Sequence, residues 1–172
     1  LFSANGMKIV DVKRIRPHGG SLRIYTKKDS PYHNVSKNVT DLLNYELDNI
    51  DSNYILKKLE YFKIEIKRLK EELIKFKNNN INIVGYGAPA RLATITNYAD
   101  IDKSFIKFII DDNNIKAGRF SPGKHIPIKK YSRSLDLENV ILFAYEYHDS
   151  IKTKINDNKI KFYKPIPFKK LS

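Results

Sequence analysis

Two glycines, a proline and an arginine stand together in Gly85-Tyr86-Gly87-Ala88-Pro89-Ala90-Arg91, directly after the apolar run Ile81-Asn82-Ile83-Val84. The chemistry that these residue types support is the holding of a phosphate. The strand is expected to end at Val84, with Gly85 making the tight turn and Gly87 removing a side chain where a pyrophosphate could approach the backbone. On that reading Gly87→Val abolishes binding and leaves the fold largely intact. Pro89 suits the first helical turn, where its missing N–H costs nothing. Free N–H groups and the helix dipole at such an N-terminus favour an anion. Arg91 falls in the first turns, where a guanidinium fork can reach a clamped pyrophosphate.

Asp111 and Asp112 close a second strand, Ile106 to Ile110, roughly 20 residues further on, as a dinucleotide fold would have them. They serve equally well to shape the turn into Asn113 and Asn114. Tyr86 and Tyr145, each near the C-terminal end of a strand, could stack on a base or sugar or simply pack the rim. The glycine motif alone is equally a strand-to-helix junction that packs closely. The histidines His18, His33, His125 and His148 are dispersed, without metal-ligand spacing, so no metal is expected.

The elements that must position these groups follow from periodicity. Lys8 to Arg16 alternates as a strand, Ser21 to Lys28 as another, and Pro17-His18-Gly19-Gly20 joins them. A helix is expected from Asn34 to Ile50, and a long one, capped by Asp51 or Ser52, to about Lys77. An α/β unit follows: strand 82–84, helix 89–98, and strands 106–110, 140–143 and 160–163. Strands separated by helices or long crossovers imply a parallel sheet. The long helix carries Ile55, Leu59, Phe62, Ile66, Leu69, Leu73 and Phe76 as a heptad seam. That seam fits packing along a sheet, or a homodimer through the long helix.

Composition sets the class. The 172 residues are 41% hydrophobic and 12% aromatic, enough for one good core or one core with an appended hairpin. No apolar run approaches the roughly 20 residues that span a bilayer, and nothing near Leu1 resembles a signal peptide, so a cytoplasmic protein without a membrane partner is expected. The net charge of +13 raises the question of nucleic acid, yet the lysines are spread over every segment. Leu1 to Met7 reads as the end of an amphipathic helix capped by Gly6, so the chain is expected to begin inside a domain.

A resemblance sharpens the reading. Gly85 to Ala90, Asn97-Tyr98, Phe108 to Asn113, Gly118-Arg119-Phe120, Pro122-Gly123 and His125 to Ile128 resemble the C-terminal domain of S-adenosylmethionine-dependent sugar C-methyltransferases. His18 to Arg23 also resembles a signature of that family. The resemblance implies a Rossmann-like three-layer parallel sheet flanked by helices, with an N-terminal β-hairpin and a long helix. It implies that residues 1–30 end an upstream methyltransferase domain, that 31–79 form a helical connector, and that 80–172 help to hold a dTDP-type nucleotide-linked deoxysugar.

The site residues so implied are Gly85, Tyr86, Gly87, Ala88, Pro89, Ala90, Arg91, Asp111 and Tyr145, with His18, Ser21 and Arg23 lining the pocket. S-adenosylmethionine and the proton-abstracting residues would belong to the upstream domain, and without cysteine this chain cannot carry the family's zinc-binding part. The chain is therefore expected to be silent as a catalyst alone. Two departures stand out: arginine at position 91, where the family more often has lysine, and Tyr145-Glu146, where tryptophan and asparagine are usual. A carboxylate near a diphosphate adds repulsion unless it turns away. An NAD(P)-dependent oxidoreductase domain and a basic nucleic-acid-binding module remain the alternatives.

Overall fold

A computed structural model describes residues 1–16 and 20–171, and its contacts divide the chain into two compact units, 1–59 and 60–172. In the first, a 3-10 turn at Ser3–Asn5 closes on Gly6, whose φ of 64° is the left-handed cap expected there. Strands β1 (Met7–Ile15) and β2 (Ser21–Lys28) pair antiparallel, with a bulge between Ile9 and Asp11. The bulge aims the Asp11 carboxylate at the start of helix α1 (Lys37–Asn49). Asp11 accepts hydrogen bonds from the Ser36 hydroxyl, from Asn38 Nδ2 at 3.0 Å and from the Val12 N–H, which hold its pKa below the usual carboxylate value. Asp51 caps helix α2 (Ser52–Asn78) by accepting the Tyr54 N–H at 2.7 Å.

The second unit is a six-stranded sheet ordered β5-β4-β3-β6-β7-β8. Its strands are β3 (Ile83–Tyr86), β4 (Ile109–Ile110), β5 (Ile128–Lys129), β6 (Asn139–Leu142), β7 (Lys161–Lys164) and β8 (Lys169–Lys170). All neighbours pair parallel except β8, which folds back antiparallel on β7. The chain steps outward from β3 through β4 to β5, then returns to the other side of β3 for β6. That reversal makes the carboxyl ends of β3 and β6 the switch point, where open α/β sheets bind ligands.

Both faces of the sheet are covered, which is why its strands read as unbroken apolar pairs and not as alternation. Ile83, Ile109, Ile141 and Tyr163 face Ile66, Leu69 and Leu73 of α2 and Leu92 and Ile95 of helix α3 (Ala90–Tyr98). Val84, Ile110, Val140 and Phe162 face Ile151 and Ile155 of helix α4 (His148–Ile155). The heptad seam is thus intramolecular from Phe62 to Phe76, while Ile55 and Leu59 stay about half exposed, at 50% and 53%.

The parallel three-layer architecture, the hairpin and the long helix agree with the sequence. Three features were absent from that reading: β5, β8 and α4. Strand β4 is also shorter than the expected 106–110. Among the described residues no helix is long and apolar enough to cross a membrane.

Candidate functional site

The glycine segment lies at the switch point, with its glycines in other roles than the sequence suggests. Strand β3 runs on through Gly85 to Tyr86, so Gly85 is a strand residue and not the turn. A Cβ there would lie 2.4 Å from Ile109 Cδ1 and 3.0 Å from a Phe143 ring carbon, so Gly85 makes room for neighbouring core side chains. The turn belongs to Gly87, with φ of 85°, whose absent Cβ would sit 2.5 Å from Ala144 Cβ. The space at Gly87 is therefore filled by the end of β6 and is not kept for a ligand. Pro89 is the N-cap residue of α3, extended at φ −72° and ψ 168°, one position earlier than expected.

Asp111 braces this turn from below. Its Oδ2 accepts the Ala88 N–H at 2.6 Å, its Oδ1 accepts the Asn113 N–H at 2.9 Å, and Lys116 Nζ lies 3.4 Å from Oδ2. Lys116 also donates to the Ala88 carbonyl at 2.9 Å, closing a ring of contacts around the loop. Both carboxylate oxygens are thus engaged within the fold, and Asp111 is buried. Asp112 is engaged too: it accepts the Tyr86 hydroxyl, 3.1 Å from each oxygen, and pairs with Lys154.

Burial first, and the Asp112 charge second, push the Tyr86 phenol well above its ordinary value; burial also raises Tyr163. The neutral phenol therefore favours the folded chain. Its contribution is complete below about pH 10 and is lost as pH rises further, because the unfolded chain gives up that proton first. An ultraviolet titration is expected to show tyrosine absorbance appearing late, with unfolding, and Tyr86→Phe should diminish that late phase. Unchanged amplitude in the variant would contradict the placement of Tyr86.

Two cationic groupings flank the loop. On one side a cavity of about 230 Å³ runs along Ala88, Pro89, Ala90 and Ala93, with Lys116, Arg119 and Phe120 opposite. Phe120 is exposed and lies against His125, ring centroids 6.5 Å apart. On the other side Arg91 reaches Glu146, with 2.5 Å between Nη2 and Oε1, and its guanidinium covers the Tyr145 ring at 4.8 Å. Lys164 Nζ lies 4.5 Å from the same ring. Tyr145 already carries two cations, which fits rim packing better than a bare stacking platform.

Ala88 to Arg91, Asp111 and Tyr145 thus converge with Gly87 at one end of the sheet. Ser21 and Arg23 lie on β2 of the first unit. His18 lies outside the described residues. Sequence reading did not single out Lys116, Arg119, Phe120, Glu146 and Lys164 as one site, although Gly118-Arg119-Phe120 figured in the resemblance.

Two further motif residues, Gly123 and Asn97, pack against each other. Gly123 leaves room for Asn97, whose amide would lie 1.9 Å from a Cβ there and which donates to the Pro122 carbonyl at 3.1 Å. Among the described residues no group of three or more histidine, aspartate or glutamate side chains could hold a metal ion.

Comparison with known proteins gives the family. C-methyltransferase NovU of Streptomyces niveus is 25% identical over 174 aligned residues, which cover 97% of this chain and 41% of that protein. The chain therefore spans about two-fifths of the length of the curated relative that it matches. The family model described as the C-methyltransferase C-terminal domain matches residues 16–167, from the end of β1 to the turn before β8. With the match covering β2, the long helix and the whole switch-point loop, the chain belongs to the C-methyltransferase C-terminal domain family.

Proposed function

We propose that this chain is the nucleotide-sugar-binding part of an S-adenosylmethionine-dependent C-methyltransferase, and that the diphosphate of a dTDP-type deoxysugar rests on the start of α3. The observation that carries this reading is the open N-terminus of α3 at the β3/β6 switch point, flanked by Arg91 and Lys164 on one side and Lys116 and Arg119 on the other. The first N–H groups of a helix have no partner within it, and with the dipole they attract an anion. Cations on both flanks add charge-assisted hydrogen bonds. The cavity beside Phe120 has room for part of the nucleotide.

In this reading residues 1–30 complete an upstream methyltransferase domain that binds S-adenosylmethionine, 31–79 connect, and 80–172 orient the sugar nucleotide. S-adenosylmethionine supplies the methyl group, and this chain supplies binding energy that holds the accepting carbon in line. Pairing of two copies through the long helix would have to use Ile55 and Leu59, because the rest of the seam is buried in, or packed against, the second unit's own core.

The oxidoreductase alternative is weakened by the acidic pair. A dinucleotide ribose needs a free carboxylate at the end of the second strand. Here Asp111 holds the loop, and Asp112 is bound to Tyr86 and Lys154. Calorimetric titration with dTDP, a dTDP-deoxysugar, NAD and S-adenosylmethionine at moderate salt tests the assignment, since salt suppresses nonspecific attraction to the +13 charge. Binding of the dTDP ligands alone is expected. Binding of NAD alone would replace this reading with the oxidoreductase one.

A further inference from the structure

The acidic side chains around the loop are held very differently. Asp111 is fixed by two backbone N–H groups and a lysine, so it is part of the architecture. Glu146, on the 3-10 turn Tyr145–Tyr147 that follows β6, has Arg91 as its one partner among the described residues. The pair is partly shielded, with side-chain exposures of 26% for Arg91 and 24% for Glu146. A carboxylate held by a single ion pair is free to leave it. An anion arriving at α3 meets that carboxylate already seated on the guanidinium.

We propose that Glu146 is an internal anion that occupies Arg91 in the empty site, so that a diphosphate binds by exchanging with this carboxylate. The proposal rests on the diphosphate site assigned above. Once Glu146 swings out, Arg91 keeps its place over the Tyr145 ring, with Lys164 on the same ring. The released site then presents two cations beside the helix N-terminus, in place of a neutralised pair and one lysine. The exchange lowers affinity for every anion, and it favours ligands with enough charge to displace a carboxylate. A diphosphate meets that condition better than a monophosphate or a carboxylate does.

The test uses inorganic pyrophosphate, dTDP and acetate against the 172-residue chain, Glu146→Gln, and Glu60→Gln as a control that removes one exposed negative charge from α2. Glu146→Gln is expected to tighten pyrophosphate and dTDP about tenfold, while Glu60→Gln changes them less than twofold. The variant should also narrow the preference for pyrophosphate over acetate. Thermal unfolding separates a purely structural tie: a lowered melting temperature with unchanged affinity would overturn the proposal. Binding that matches the Glu60→Gln control would overturn it too and leave the diphosphate site standing. No pyrophosphate binding by any of the three proteins would remove both.

Discussion

Gly87→Val is expected to destabilise the second unit by about 4 kcal/mol, with loss of ligand binding as a consequence of the damaged fold. Two costs add. A non-glycine residue held in the left-handed region costs roughly 1–3 kcal/mol, and β-branching places valine at the upper end. The branched side chain must also displace the end of β6, since even its Cβ would stand 2.5 Å from Ala144 Cβ and 3.1 Å from the Ala144 nitrogen. That nitrogen belongs to backbone held by the β3 ladder: the Phe143 N–H bonds the Tyr86 carbonyl at 2.9 Å. Forcing extra atoms into such a contact costs roughly 1–3 kcal/mol.

Gly118→Ala is the internal control, because Gly118 has φ of 80° but nothing within 4 Å of its virtual Cβ. It should lose only the conformational part, about 1 kcal/mol. Denaturant midpoints of the two variants measure the difference. Should Gly87→Val unfold within about 1 kcal/mol of Gly118→Ala, the packing role assigned to Gly87 is wrong, and the sequence-based expectation of a binding defect in an intact fold returns.

What the sequence discloses and what it hides follow from local against tertiary causes. Ile83-Val84, Ile109-Ile110 and Val140 to Leu142 are legible as strands because burial on both faces demands consecutive apolar residues. Strand β5 is only Ile128–Lys129 and β8 only Lys169–Lys170, too short to carry a period; their neighbours define them. Helix α4 buries just Ile151 and Ile155, a signal one turn long. The stripe on α2 is legible as a stripe, but nothing in it says whether a sheet or a second helix covers it.

The loop is similar. Its glycines are visible, whereas the reason for Gly85 is a pair of side chains, Ile109 and Phe143, that the fold brings from 24 and 58 positions downstream. Lys116, Glu146 and Lys164 reach the loop by the same long-range pairing. Glu146 illustrates the gain from structure: from sequence it is a departure that either repels a diphosphate or turns away, and the ion pair with Arg91 gives it a third role.

Replacing Arg91 with alanine should weaken dTDP and pyrophosphate roughly 10- to 100-fold and leave thymidine binding nearly unchanged. A hydrogen bond to a charged group contributes about 1.5–3 kcal/mol, which sets that range. The nucleoside lacks the phosphates and so has nothing to lose at the guanidinium. The loss should sit at the upper end, because truncation also leaves the Glu146 carboxylate without its partner beside the incoming anion. Adding glutamine at 146 to alanine at 91 should therefore change affinity by a factor other than the roughly tenfold that Glu146→Gln gives beside Arg91, and that departure from additivity is the signature of two side chains acting on one site. Calorimetric titrations of the two single variants and the double variant, with dTDP, pyrophosphate and thymidine, decide the matter. Equal losses for thymidine and dTDP would count against a phosphate role for Arg91, and strict additivity in the double variant would separate Arg91 from Glu146. Non-additivity specific to the diphosphates would instead tie the helix start, the arginine and the glutamate into one anion site at the switch point of the sheet.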